Sequence, residues 1–139
     1  MSADGATRLA RLAAWETVLA APDFTAGHWG GGERGADGVI SMPYFEYSEA
    51  VLAFIREMYE LEWVHSFDWM AWADTAEGKR LTSSPAAISS ASEADLSKVL
   101  TTILRSDRFS DGALASAIER GFVLAVVRRA GVLAAAERS

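Results

Sequence analysis

His28 and His65 are the two imidazoles of this chain, and His65-Ser66-Phe67-Asp68 sets one of them three residues before a carboxylate. That spacing can offer a nitrogen and an oxygen to a divalent cation, with Glu62 or Glu46 as a further ligand if the fold brings one near. No H-E-x-x-H or comparable helix pattern supplies a second nitrogen, so an imidazole at a helix end, favoured by the helix dipole, accounts for His65 equally well. Glu46 and Asp68 stand among aromatic residues, where burial raises a carboxyl pKa toward that of a general acid or base. Asp68 is also placed to cap a helix, which needs no catalysis. Arg105 and Arg108 fall at i, i+3 just before Phe109. Such a pair can grip a phosphate or carboxylate, or close the fold by pairing with acidic side chains. Gly30-x-Gly32-x-x-Gly35 has the letters of the dinucleotide fingerprint, but neither the strand before it nor the helix after it is visible, so a flexible loop is expected. There is no G-x-S-x-G elbow, and the serines read as caps and linkers. No catalytic residue, cofactor or metal ligand is assigned on these patterns.

The elements that must position these groups centre on Met42–Trp72. Val51, Phe54, Ile55, Met58 and Leu61 fall on one face of a 3.6-residue period, with Ser48 as N-cap and Glu57, Glu60, Glu62 and Arg56 on the wet side. Aromatic clusters flank this helix: Tyr44-Phe45-Glu46-Tyr47 before it and Phe67-Asp68-Trp69-Met70-Ala71-Trp72 after it. Large rings bury large areas, so a core that clamps the helix ends is the first expectation. If the rings instead open into a pocket, its candidate lining is Trp29, Tyr44, Tyr47, His65, Asp68, Trp69, Trp72 and Arg108.

The remaining chain reads as further helices. Met1–Gly5 is expected to be a frayed, disordered start. A helix from about Ala6 to Ala20 turns Leu9, Leu12, Ala13, Trp15 and Leu19 inward and stops before Pro22. Asp23 to Gly38 holds six glycines and is expected to be one long irregular loop. Val39–Met42 reads as extended, with no partner for a sheet. A short helix runs from Asp68 to about Arg80, weakened at Gly78, and a minor helical turn covers Ala86–Ser90. Ser92 opens a helix with Asp95 as a carboxylate capping box, burying Leu96, Val99, Leu100, Ile103 and Leu104. Ser110 is the expected cap of the next helix, Gly121 its C′ residue, and a last helix runs on from Phe122.

Composition excludes several classes. With 139 residues, half of them hydrophobic and 23% charged, the chain is a single globular domain, read as residues 6–136. Net charge is −6, which disfavours nucleic acid, whose binding depends on displacing phosphate counterions with basic groups. There is no cysteine, hence no disulfide, thiol chemistry or thiolate zinc site; a cytoplasmic setting is expected. Phe122–Val127, the best apolar run, stops at Arg128-Arg129 and is far short of a membrane span. Asp4 before Arg8, and Glu16 inside the apolar stretch, make the N-terminus an amphipathic helix rather than a signal peptide. Acids concentrate between Glu46 and Glu77 and bases beyond Lys98; the two parts are expected to face and balance each other.

Four motifs occur in one order: Trp29-Gly30-Gly31-Gly32-Glu33, Met42-Pro43-Tyr44-Phe45-Glu46-Tyr47-Ser48, Phe67-Asp68-Trp69-x-x-Trp72 and Asp107-Arg108-Phe109-x-x-Gly112-x-Leu114. Together they resemble a small bacterial family known only as a domain of unknown function, number 6508, from about Leu9 to Val127. The resemblance implies a bacterial, single-domain, mostly helical protein and brings no activity, cofactor or catalytic residue with it.

The resulting expectation is an all-α bundle of five or six helices with one long Gly-rich loop. Its expected role is a non-enzymatic binding or protein-interaction module without a cofactor. The alternative is a small enzyme or ligand-binding domain using an aromatic pocket near Asp68, His65 and Arg108. The partner is expected to be a protein of unknown identity. A homodimer through the last helix is also expected, because Phe122, Val123, Leu124, Val126, Val127, Val132 and Leu133 offer more apolar surface than one stripe can use.

Overall fold

The structure, a computed structural model, describes residues 3–32, 35–40 and 42–138. In chain order it runs α1 (Ala3–Ala13), α2 (Glu16–Leu19), β1 (Gly27–Gly30), β2 (Tyr44–Tyr47), α3 (Glu49–Glu60), α4 (Trp69–Ala73) and α5 (Ala76–Ser83). A 3-10 segment (Pro85–Ser90) follows, then α6 (Glu93–Ser106), α7 (Ala113–Glu119) and α8 (Phe122–Arg138). The fold is mostly helical but not purely α: among the described residues it has eight α-helices rather than five or six, and a two-stranded sheet.

The extra helices come from breaks in two expected ones. The first helix breaks at Ala14–Trp15, and Trp15 there donates its indole N–H to Glu57 Oε2 at 2.7 Å and meets Phe54 edge-on. The segment after Asp68 breaks at Asp74–Thr75, where Thr75 caps a new helix by accepting from Gly78 N at 3.0 Å. Gly78 is more than a weak point: a Cβ there would lie 2.1 Å from Trp72 O, so glycine lets α5 begin against the end of α4. Other caps match the sequence pattern. Ser48 accepts from Val51 N, Asp68 from Ala71 N, and Ser92 with Asp95 closes both bonds of a capping box at 3.1 Å each. The N-terminal helix begins at Ala3, earlier than expected; Met1 and Ser2 lie outside the described residues.

The sheet was not expected. Gly27-His28-Trp29-Gly30 pairs antiparallel with Tyr44-Phe45-Glu46-Tyr47, with Trp29 opposite Phe45 and His28 opposite Glu46. Its first strand lies inside the glycine-rich segment, where two glycines in four residues hide the strand signal. Gly35 N bonds Val39 O in the turn between the strands; Glu33, Arg34 and Ser41 lie outside the described residues. β1 does lead into Gly30-x-Gly32-x-x-Gly35, unlike the expectation, but among the described residues no helix lies between these glycines and α3, so the strand–turn–helix context of the fingerprint is incomplete.

One core joins the elements. Leu9 and Leu12 of α1, Phe54 and Met58 of α3, Leu96 and Leu100 of α6, and Val123, Val126 and Val127 of α8 are all buried in it. The run Phe122–Val127 is helical, and α8 lies at the centre, packed against α1, α2, α6, α7 and the 3-10 segment. Leu124 and Leu133 are partly buried against the core, and Val132 is 58% exposed. Trp63, just after α3, is fully buried, and its indole N–H has no acceptor among the described residues. Arg8 covers its ring face at 3.7 Å and also binds Leu61 O, Glu62 O and Glu93. That guanidinium receives the end of α3, where carbonyls lack helical partners, and meets an acid in the first turn of α6.

Candidate functional site

A cleft of about 260 Å³ lies between the α3–α4 connection and the end of α6, lined by His65, Ser66, Phe67, Trp69, Arg105, Arg108 and Phe109. His65 is fixed from below by α6. Its backbone N–H donates to Thr101 Oγ1 at 3.2 Å, and its Nδ1 lies 3.0 Å from Ser97 Oγ. Ser97 Oγ also sits 2.6 Å from Trp63 O, a carbonyl that can only accept, so the single hydroxyl proton goes there. At the ring Ser97 therefore accepts, and Nδ1 carries the hydrogen. The same polarity removes Ser97 as a nucleophile. A serine–histidine pair needs the imidazole lone pair facing the hydroxyl proton, and here the proton points away. The imidazole stacks on Phe67 with centroids 4.8 Å apart.

Two cations form the far wall. Arg105 and Arg108 hold their guanidinium carbons 5.8 and 5.9 Å from the Tyr59 ring centroid, and Arg108 Nη2 donates to Tyr59 Oη at 3.2 Å. Neither has a carboxylate within salt-bridge distance among the described residues. The ion pairs among the described residues are Arg8–Glu93, Arg11–Glu57, Arg80–Glu77 and Arg128–Glu16, and His28 lies 3.1 Å from Glu46. Glu57, in the acidic middle, is thus paired with α1, and among the described residues Arg128 is the one base beyond Lys98 in an ion pair, with Glu16. None of these pairs joins the acidic middle to the bases beyond Lys98, although Arg105 and Arg108 face Tyr59 of that segment. The outer rim is aromatic: Trp69 meets Phe109 at 6.3 Å, and Phe109 is 75% exposed.

The loop that carries Arg108 and Phe109 is held by its own acids. Tyr47 Oη donates to Asp107 Oδ1, and the two oxygens accept the Ala115 and Leu114 N–H groups of α7 at 3.3 and 3.1 Å. Ser110 was the expected cap, but the N-cap position is Gly112, which has no side chain to offer, so Asp107 and Tyr47 take over. Burial first, then the bond to Asp107 and its charge, hold the Tyr47 phenol well above its ordinary range. Asp111 accepts from Phe45 N at 3.2 Å and ties the loop to the hairpin. Gly112 has φ +88° and lies beneath Trp29, where a Cβ would come within 2.8 Å of the indole.

The candidate pocket residues thus divide. His65, Trp69 and Arg108 share the cleft. Asp68 is exposed and occupied as the cap of α4. Trp72 is partly buried against the core, edge-on to Phe67. Tyr47 belongs to the α7 cap. Trp29 and Tyr44 are largely exposed on the hairpin. Reasoning from the sequence left Phe67, Arg105 and Phe109 out of the lining, although the i, i+3 arginine spacing just before Phe109 was a usable signal. Glu46 pairs across the strands with His28 at 3.1 Å rather than joining His65, and no group of three or more metal-ligating side chains occurs among the described residues. A larger groove of about 440 Å³ runs between the 3-10 segment and α8. Its two arginines are engaged, Arg128 by Glu16 and Arg129 by Ala91 O at 2.7 Å. No helix among the described residues is long and apolar enough to cross a membrane.

No curated protein and no solved structure matches the chain. Residues 5–136 match a family described as a family of unknown function (DUF6508), and the match spans nearly the whole chain. The chain belongs to that family.

Proposed function

We propose that this protein is a non-enzymatic binding module of the bacterial cytoplasm whose recognition surface is the cleft between His65 and Phe109. One observation carries the reading: in a chain of net charge −6, Arg105 and Arg108 stand one helical turn apart without a carboxylate partner among the described residues, facing a cleft rimmed by Trp69 and Phe109. Tyr59 takes one N–H of Arg108 and lies about 6 Å from both guanidinium carbons, so most of the N–H donors of the pair are left for an anion, and flanking aromatic faces add apolar contact. The absence of cysteine suits a reducing compartment. Catalysis has weaker support, because Asp68 is engaged as a cap and the Ser97 proton is committed to Trp63 O.

The test is titration of the native protein with inorganic phosphate and with benzoate, followed by amide chemical shifts. Shifts confined to residues 65–69 and 105–109, and lost in Arg105→Gln/Arg108→Gln, are expected. Shifts scattered over the surface, or unchanged in the double variant, would remove the cleft as the recognition site. A homodimer through α8 has narrower support: Val132 and the groove beside Leu124 are the apolar surface left there.

A further inference from the structure

We infer that the occupant of the cleft is an extended acidic segment of a partner protein, which sets a carboxylate on Arg105 and Arg108 and an apolar side chain against Trp69 and Phe109. This rests on the cleft being the recognition surface. Size argues for a segment over a small molecule. Sites that bury a whole ligand enclose roughly 300–1,000 Å³. This one offers about 260 Å³, and its rim ring Phe109 is three-quarters in water, so it fits one or two side chains of something larger.

Charge selects the sign. Asp107 and Asp111, the acids of the Arg108 loop, are engaged by Tyr47 with the α7 N–H groups and by Phe45 N, and neither lies within salt-bridge distance of the arginines. An acidic group landing there meets two cations in a chain that is otherwise net negative, so the local pairing, not the overall field, specifies the position. Continuity selects an extended shape. The same loop ends at Gly112 beneath Trp29, which is 58% exposed, so a chain following it meets Trp69 and Phe109 at one end and a second indole at the other.

The experiment is selection of a phage-displayed random peptide library on the native protein, with counter-selection on Arg105→Gln/Arg108→Gln. The enriched consensus is expected to hold Asp or Glu within two positions of an aromatic or leucine. Its synthetic peptide should bind the double variant about tenfold more weakly or worse, as loss of charge-assisted bonds does. Phe109→Ser, at a position 75% exposed, should weaken the same peptide. A consensus without acids, or equal binding to the double variant, overturns the inference. No enrichment, with phosphate or benzoate still shifting the cleft, also overturns it and leaves a small-anion site. No enrichment and no shift removes both.

Discussion

Tyr47→Phe removes one hydroxyl and leaves the ring contact with Phe45 at 4.8 Å in place. That hydroxyl donates to Asp107 and accepts from Ala115 N, so it helps hold both the α6–α7 loop and the start of α7. A hydrogen bond to a charged group contributes about 1.5–3 kcal/mol net. Tyr47 is half-buried and water replaces part of the loss, so the expected cost is about 1–2 kcal/mol by urea unfolding at pH 7. A double-mutant cycle with Asp107→Asn should give a coupling of at least about 0.5 kcal/mol, since the two side chains share one network. The pH dependence follows from the direction of the shift. The phenol is raised in the folded state, while in the unfolded chain it titrates at about 10. Its stabilisation is therefore fully present below about pH 10 and is lost as pH rises through the folded value. Tyr47→Phe should flatten that alkaline decline. A variant that loses under about 0.5 kcal/mol with no coupling, or that keeps the full alkaline slope, would refute the capping argument.

Phe54→Ala should cost about 3–5 kcal/mol as a core truncation; Trp69→Ala, lining the cleft, should cost less than half as much, and equal costs in denaturant titrations would place Trp69 in the core. Arg8→Met should lose about 2–3 kcal/mol and Arg8→Lys recover only part, because an ammonium cannot cover the Trp63 face and reach Glu93 and two carbonyls together. Full recovery by lysine would show that only the charge matters. If α8 makes a homodimer, sedimentation should give a native dimer and a Val132→Glu monomer; a native monomer at tens of micromolar ends that proposal.

The local parts of this molecule were legible because local chemistry forms them. The Ser48, Asp68 and Ser92–Asp95 caps, the buried faces of α3 and α6, and the helical run from Phe122 all follow from patterns within a few turns of chain. What pairs at long range was not legible. Four residues of β1 inside a glycine-rich segment carry almost no signal until Tyr44–Tyr47 supplies the facing hydrogen bonds. Trp63 looks like any aromatic until Arg8, fifty-five residues earlier, covers it. Tertiary structure alone put Tyr47 and Asp107 at the start of α7 and brought Arg105 and Arg108 to one ring with no ion-pair partner among the described residues. Periodicity fixes which face of a helix is apolar, but it carries no information on which distant charge that helix will meet.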